Sequence, residues 1–163
     1  MIRILIAIVA VIVGCIVGSM ANLGIGMVNV MMFPLPDGMT FTDMLNPDNK
    51  QAIVDWIASL PQTAFILVLV AHLSQAFLGG FIAALIAKRN MMCVAMVIGV
   101  LTLIAGLINM MTIPAPVWLW IEMPLYLLVA WWAAKLVMKM RGPKTTVTYS
   151  IENNKLSRGL FIQ

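Results

Sequence analysis

Four long apolar stretches make up most of this chain, and each is long enough to cross a lipid bilayer. They run from Ile4 to Met32, from Thr63 to Ala87, from Met91 to Met111 and from Val117 to Met138. A hydrocarbon core about 30 Å thick requires about 20 residues of α-helix, whereas the strands of a membrane barrel would show alternating apolar and polar residues. The sequence therefore predicts an all-α fold, a polytopic membrane protein built as a bundle of four transmembrane helices.

The remaining residues leave little room for a second domain. Of the 163 residues, 63% are hydrophobic and 10% are charged, a composition typical of a membrane domain. We predict a transmembrane domain over residues 1–141 and a cytoplasmic tail over residues 142–163. In the tail, Val147, Tyr149 and Ile151 alternate with polar residues, which indicates either disorder or a strand that pairs with the sheet edge of another subunit.

The basic residues are concentrated in the segments predicted to lie on one side of the membrane. All of them except Lys50 fall at the N-terminus, at the connection containing Lys88 and Arg89, or from Lys135 onward, whereas Lys50 shares the first loop with several aspartates. This distribution follows the positive-inside rule and predicts that both termini are cytoplasmic. Because the net charge of +4 forms no basic face, it does not indicate a nucleic-acid partner, and the lipid bilayer is the expected environment.

The first loop, residues 33–62, contains a further helix signal. Its start, Pro34-Leu35-Pro36, ends the first helix because proline cannot donate a backbone hydrogen bond. Asn46-Pro47 is typical of an N-cap followed by proline in the first turn. Apolar residues then recur on one helical face at Ile53, Trp56, Ile57 and Leu60. We expect an amphipathic helix over about 47–60 that lies on the outer membrane surface.

One short pattern occurs twice with an offset of 80 residues. The residues Gly26, Asn29, Met31, Pro34 and Pro36 recur as Gly106, Asn109, Met111, Pro114 and Pro116. Both copies end a helix that runs outward, so a duplication would be a parallel repeat of two hairpins, with its pseudo-axis along the membrane normal. The alternative is coincidence in a chain rich in Met, Gly and Pro.

Within the predicted spans, small and polar residues form stripes at helical spacing, and we expect the stripes of the first three long helices to face one another. Glycines let two helix backbones approach closely, and the predicted packing residues are Gly14, Gly18, Gly26, Gly79, Gly80, Gly99 and Gly106. The polar residues concentrate in the outer half of the bundle. The candidate polar site consists of Asn22, Asn29, His72, Gln75, Asn109 and Glu122.

Two interpretations of these polar residues stay open. They could join helices through hydrogen bonds worth about 0.6–2 kcal/mol each. They could instead form a site for protons, ions or a polar ligand, because an ionisable group near the bilayer centre costs roughly 2.5–3.5 kcal/mol. His72 and Glu122 are the strongest candidates for a function. Glu122 could be protonated, shallow enough to reach headgroup water, or paired with a polar neighbour such as Asn29 or Asn109.

No set of residues indicates catalysis or a cofactor. His72 is the single histidine, and Cys15 and Cys93 lie at different depths, which disfavours a disulfide and a metal site. Ser19 and Ser74 have no base at a recognisable spacing, and the glycines lie inside apolar helices instead of in a phosphate-binding loop. We expect no enzyme activity, no metal and no cofactor.

Several motifs carry a family resemblance. They are the run FPLPDGMTFTD from Phe33 to Asp43, Ala71-His72 followed by Gly79-Gly80, and Pro114-Ala115-Pro116-Val117-Trp118 followed by Glu122 and Tyr126. These motifs resemble those of a family of small bacterial four-helix integral membrane proteins. The resemblance covers the first to the fourth helix. It implies the same architecture and a place in the bacterial inner membrane, and it implies no activity.

The function predicted from the sequence is that of a non-enzymatic membrane protein. It would act as an accessory or structural subunit together with other membrane-protein subunits, or as a homo-oligomer, because the bundle is short, its helices have glycine faces and no catalytic set is present. The alternative is a small transporter or channel for protons, ions or a small polar solute, which would pass through the candidate polar site.

Overall fold

A computed structural model of the chain describes residues 2–36, 38–40, 42–43, 46–113 and 115–142. It contains the α-helices α1 (Ile2–Met32), α2 (Lys50–Ser59), α3 (Gln62–Ala87), α4 (Met91–Thr112) and α5 (Glu122–Met140). Short 3-10 turns at Pro47–Asn49 and Val117–Ile121 precede α2 and α5. Four helical segments are long and apolar enough to cross a membrane, so the predicted all-α bundle is confirmed. The strand pattern at Val147, Tyr149 and Ile151 lies outside the described residues.

Prolines and unusual backbone angles set where the long helices end. α1 stops at Met32, just before Pro34, and α3 begins immediately after Pro61. Between α3 and α4, Lys88 and Asn90 both adopt φ values of 53°, which few residues with a side chain tolerate and asparagine tolerates best. These two residues reverse the chain within a three-residue connection, so that α3 and α4 run antiparallel.

α3 is the central helix of the bundle, because it packs against α1, α4 and α5. α5 also packs along α4, whereas α1 contacts α4 only slightly and makes no comparable contact with α5 in the described part of the chain. The two hairpins are therefore packed unequally, and α1 is attached to the bundle mainly through α3. We call the end of the bundle where α3 begins the α2 end, and the opposite end the terminal end.

Glycines of α1 and α3 allow these helices to lie directly on each other. A Cβ atom on Gly14 would lie 2.6 Å from the carbonyl oxygen of Gly79, and one on Gly18 would lie 2.6 Å from that of Gln75. A Cβ atom on Gly79 would in turn lie 2.9 Å from the carbonyl oxygen of Gly14. The atoms in the way belong to the backbone and cannot move aside as a flexible side chain could, so the contact requires glycine at these positions.

The glycines of α4 face α5 and not α1. A Cβ atom on Gly99 would lie 2.9 Å from Cβ of Ala130, and one on Gly106 would lie 2.7 Å from the ring of Tyr126. Of the three stripes that we expected to face one another, only those of α1 and α3 meet in direct glycine contact. The physical reason is the large phenol of Tyr126, which occupies the space that Gly106 leaves open.

The amphipathic helix is present as α2, and its apolar face turns toward the bundle. The side chain of Asn46 accepts a hydrogen bond from the backbone N–H of Asp48 at 3.1 Å, with Pro47 in the first turn. Ile53 and Ile57 are buried. Trp56 donates from Nε1 to the carbonyl oxygen of Pro34 at 3.0 Å, and this bond connects α2 to the segment that follows α1.

Small side chains fill the terminal half of the bundle. One cluster joins α1 to α3 and α4 through Ala10, Ala83, Val94 and Ile98. A second cluster joins α3, α4 and α5 through Ala84, Ala95, Ala134 and Val137. The buried residues of both clusters are Ala, Val or Ile, so neither cluster buries a polar side chain.

Candidate functional site

His72 and Glu122 form a direct contact between α3 and α5. His72 is the eleventh residue of α3 and so lies about 15 Å along that helix from the α2 end. Its Nδ1 atom is 3.1 Å from Oε2 of Glu122. Glu122 is 0% exposed and the His72 side chain is 17% exposed. Two ionisable side chains therefore meet inside the membrane-spanning part of the bundle.

Tyr126 completes this arrangement, which we call the His–Glu–Tyr cluster (His72, Glu122 and Tyr126). Tyr126 follows Glu122 by one helical turn on α5 and is fully buried. Its hydroxyl oxygen is 3.3 Å from Nδ1 of His72, the same nitrogen that contacts Glu122. One ring nitrogen is thus shared between a carboxylate and a phenol.

The His–Glu–Tyr cluster can hold a proton on more than one atom. When Nδ1 of His72 carries the hydrogen, it donates to the carboxylate; when Nδ1 is bare, it accepts a hydrogen bond from the phenol or from a protonated Glu122. The other carboxylate oxygen, Oε1, is buried and has no hydrogen-bond partner among the described residues. Leaving one oxygen of a buried carboxyl group without a hydrogen-bond partner is energetically costly.

A second polar contact connects α1 to α3. Asn22 donates from its side-chain amide to Oε1 of Gln75 at 2.9 Å. This bond lies one turn beyond the close contact at Gly18 and places side chains between the two helices. α1 and α3 are therefore held together by backbone contact toward the terminal end and by an amide pair toward the α2 end.

Two cavities meet at His72. The first, which we call the apolar cavity, has a volume of about 250 Å³ and extends from His72 to α2. Its walls are mainly apolar and include Val30, Trp56, Leu60, Phe65, Val68, Met110 and Leu119. The second, the polar cavity, has a volume of about 330 Å³ and lies between α1 and α4. It is lined by Ser19, Asn22, His72, Gln75, Thr102, Ala105, Gly106, Asn109 and Tyr126.

The structure brings most of the candidate polar residues to these cavities. Asn22, His72 and Asn109 line both of them, Asn29 lines the apolar cavity and Gln75 lines the polar cavity. The side-chain oxygen of Asn29 is buried and has no hydrogen-bond partner within the described residues. The cavity walls therefore present several amide groups around a single imidazole.

Glu122 lies behind His72 and contacts neither cavity directly. The sequence left open whether this carboxyl group reaches headgroup water or pairs with a polar neighbour such as Asn29 or Asn109; in the structure it pairs with a polar neighbour, and that neighbour is His72. Glu122 has no exposed surface, and its hydrogen-bonding partner is His72. The side-by-side packing of α3 and α5 decides this pairing, and the sequence alone does not reveal which helices are neighbours.

The predicted packing glycines fall into two groups. Gly14, Gly18, Gly79, Gly99 and Gly106 lie at close helix contacts, and Gly80 lies beside Ala130 at 3.6 Å. Gly26 does not: a Cβ atom there would meet nothing within 4 Å, and the residue lines the apolar cavity. The side chains of Asn22 and Gln75 separate the helices before Gly26 is reached.

Sequence reasoning did not assign three residues to the site. Ser19 and Thr102 line the polar cavity, and Tyr126 both lines it and contacts His72. The spacing of Tyr126 from Glu122 is the available signal, since residues four apart share one helical face. Ser19 lies at a depth similar to that of Asn22, which is a weaker signal in the sequence for a place in the site.

The described residues contain no group of three His, Cys, Asp or Glu side chains able to hold a metal ion, and Cys15 and Cys93 are free thiols. The chain is a membrane protein of four spanning helices. Comparison of the chain with models of protein families, with curated proteins and with solved structures found no match.

Proposed function

We propose that this protein is a small transporter or channel that carries protons, alone or together with a small polar solute, through a site centred on His72. The observation that supports this proposal most strongly is the contact between His72 and Glu122 at the place where two cavities meet inside the span. The proposed activity needs no enzyme chemistry and no cofactor.

Burial of His72 and Glu122 inside the span has an energetic cost. Ionisable groups near the centre of a bilayer cost roughly 2.5–3.5 kcal/mol each on insertion scales. A hydrogen bond between helices returns about 0.6–2 kcal/mol, so a purely structural role would offset this cost only in part. A structural pair also needs no empty space beside it, yet His72 borders both cavities. The combination of an ionisable cluster with open volume favours a ligand or proton site.

The proposed direction of access follows from the charges and the packing. Arg3, Lys88, Arg89, Lys139 and Arg141 all lie at the terminal end, which the positive-inside rule assigns to the cytoplasm. The α2 end then faces outward, and the apolar cavity reaches toward it. The alanine-rich clusters pack around α3 in the terminal half, and His72 does not line the groove between α1 and α4 at that end, so the arrangement corresponds to an outward-facing state. Passage inward would require α1 to move relative to α3 and α4.

Reconstituted liposomes provide the test. A pH-sensitive dye inside the vesicles should report proton entry driven by an imposed potential, and His72→Gln and Glu122→Gln should each abolish it. Ser74→Ala is the matched control, because Ser74 lies two residues from His72 on α3, bonds its hydroxyl to the carbonyl oxygen of Ala71 and lines neither cavity. Proton flux that is absent in the parent protein, or unchanged in both variants, would refute the proposed proton pathway.

A second candidate function is that of an accessory subunit or homo-oligomer. It is favoured by the position of α1, which is attached mainly to α3 and leaves a long apolar face and Ser19 exposed at mid-span. Native mass spectrometry from nanodiscs would show assemblies larger than one chain if α1 forms an interface. Ser19→Leu should then dissociate them, whereas Ser74→Ala should not. A monomer under these conditions would contradict the oligomer.

A further inference from the structure

The two cavities differ in chemistry although they adjoin each other. The polar cavity is lined by hydroxyls, amides, the imidazole of His72 and the phenol of Tyr126. The apolar cavity, apart from the amides near His72, is lined by aliphatic side chains and by Trp56 and Phe65. A fully polar solute would fit only the first cavity and a hydrocarbon only the second. A molecule with a polar head and an apolar tail matches both.

The polar cavity opens toward the lipid. α1 and α4 form its two walls, and they contact each other only slightly. Ser19 and Ala105 on these walls are exposed, and they lie about halfway along α1 and about two-thirds of the way along α4 from the terminal end. The opening therefore faces the hydrocarbon region between the middle and the α2 end of the span. A ligand dissolved in the membrane can reach His72 through it without first crossing water.

The groups on the cavity walls select a neutral head. The carboxyl group that contacts His72 among the described residues belongs to Glu122, which lines neither cavity. The walls present uncharged donors and acceptors, together with one imidazole, and hydrogen-bonding sites of this kind favour hydroxyl or carbonyl groups. Asn29, whose buried side-chain oxygen lacks a partner in the described structure, adds an acceptor on the wall of the apolar cavity.

We propose that the two cavities together bind a membrane-dissolved amphiphile whose small, neutral, hydrogen-bonding head lies against His72 and whose apolar tail lies beneath α2. This inference rests on the proposed function and names the solute class of the same site. The combined space is modest, since pockets for drug-sized ligands are roughly 300–1,000 Å³ and the two cavities measure about 250 and 330 Å³. A single short chain with a hydroxyl or carbonyl head fits this size.

Photolabelling in liposomes tests the assignment. The probe is an octanol analogue with a diazirine on its chain, and mass spectrometry locates the labelled residues. We expect labels at Val30, Trp56 and Met110 that an excess of 1-octanol removes, while the same membrane concentration of octane or octyltrimethylammonium does not. His72→Ala should weaken this competable labelling about tenfold, the effect expected from losing a buried hydrogen-bond partner.

Two glycines of α1 offer a matched pair of variants. Neither Gly24 nor Gly26 has an atom within 4 Å of a built Cβ, so both tolerate a side chain. Only Gly26 lines the apolar cavity. Gly26→Leu should fill the cavity and abolish the competable labelling, and Gly24→Leu should retain it. Helical content and thermal unfolding of both variants check that they fold.

The outcomes separate this inference from the proposed function. Equal labelling in the Gly26→Leu and Gly24→Leu variants, or competition by octane, would overturn the amphiphile site. Competition by octyltrimethylammonium alone would overturn the neutral head. Proton flux that depends on His72 without competable labelling would overturn the solute class and leave the proton pathway standing. Competable labelling without any flux would support the binding site and refute transport.

Discussion

At the scale of single residues, the contacts of His72 determine which polar groups meet inside the bundle. Its Nδ1 is within 3.3 Å of two different oxygen atoms, one on Glu122 and one on Tyr126. Both partners come from α5 and are fully buried, so the imidazole joins the central helix to its neighbour and also borders the cavities. A single side chain thus makes a bond between two helices and also borders both cavities.

Removing His72 should destabilise the fold more than removing both members of the pair. In His72→Leu, Glu122 stays buried without its partner, and breaking a buried pair in this way costs about 3–5 kcal/mol. The double variant His72→Leu with Glu122→Leu leaves no orphaned carboxyl group and should recover much of the loss. Unfolding curves in detergent for the two single variants and the double variant form a cycle that measures this coupling. If the losses in unfolding free energy of the two single variants simply add up to that of the double variant, the contact contributes no coupling energy.

Outside the membrane, the turn at Thr40 should depend on pH. The side chain of Thr40 donates to Oδ2 of Asp43 at 2.6 Å, and so does its backbone N–H. These two bonds hold the pKa of Asp43 below its usual value, with the hydroxyl bond the larger cause. The turn is therefore stabilised at neutral pH, and this contribution is lost as the pH falls through the lowered pKa.

Titration of Asp43 by carboxyl ¹³C NMR would test this direction. Thr40→Val keeps the backbone donor and removes the hydroxyl, so the pKa of Asp43 should move upward toward its ordinary value and the turn should open at a higher pH. An unchanged pKa in that variant would show that the hydroxyl bond is absent in solution.

At the scale of helices, α1 and α3 are coupled by a contact that changes its chemistry along its length. Toward the terminal end the backbones touch at Gly14, Gly18 and Gly79. Toward the α2 end, the two helices are joined by the hydrogen bond between the side chains of Asn22 and Gln75. The apolar cavity lies beyond this bond. The distance between the two helices therefore controls the cavity, because the same helices form its walls.

Gly18→Ala should force α1 away from α3. The added methyl group would lie 2.6 Å from the backbone oxygen of Gln75, and an overpacked contact typically costs about 1–3 kcal/mol. The hydrogen bond between Asn22 and Gln75 should weaken at the same time. Gly24→Ala is the control on the same helix, and because alanine favours helix over glycine it should be neutral or stabilising by up to about 1 kcal/mol. Thermal unfolding in detergent measures both, and equal stabilities would contradict the close contact.

At the scale of the whole molecule, the two halves of the bundle differ in chemistry. Alanine-rich clusters pack around α3 in the terminal half, where an apolar groove of about 510 Å³ remains between α1 and α4, while the polar side chains and the two cavities at His72 occupy the half nearer α2. α2 lies over this second half and is connected to the end of α1 through the bond from Trp56 to Pro34. This asymmetry supports the proposed access to His72 from the outer half of the bundle, on the α2 side and at the opening between α1 and α4.

The two ends of the bundle should react with impermeant reagents from opposite sides of the membrane. In a background with Cys15 and Cys93 replaced by alanine, Ser59→Cys marks the α2 end and Lys139→Cys the terminal end; both positions are exposed. An impermeant maleimide should label Ser59→Cys in intact cells and Lys139→Cys only after the membrane is opened. Because α3, α4 and α5 connect the two positions, labelling of both from one side would contradict three crossings by these helices. The reverse pattern would overturn the proposed outward direction of the α2 end.

The sequence by itself determined the four spans, the capped amphipathic helix and most of the polar residues at the cavities. These features depend on local composition and spacing, since hydropathy, helical periodicity and N-capping involve residues close together in the chain. Only the tertiary structure decided that Glu122 pairs with His72, that Gly106 accommodates Tyr126 and that Gly26 lines a cavity. Each of these depends on which helices are neighbours, and four apolar helices of similar length can be arranged in several ways without any change in their individual patterns.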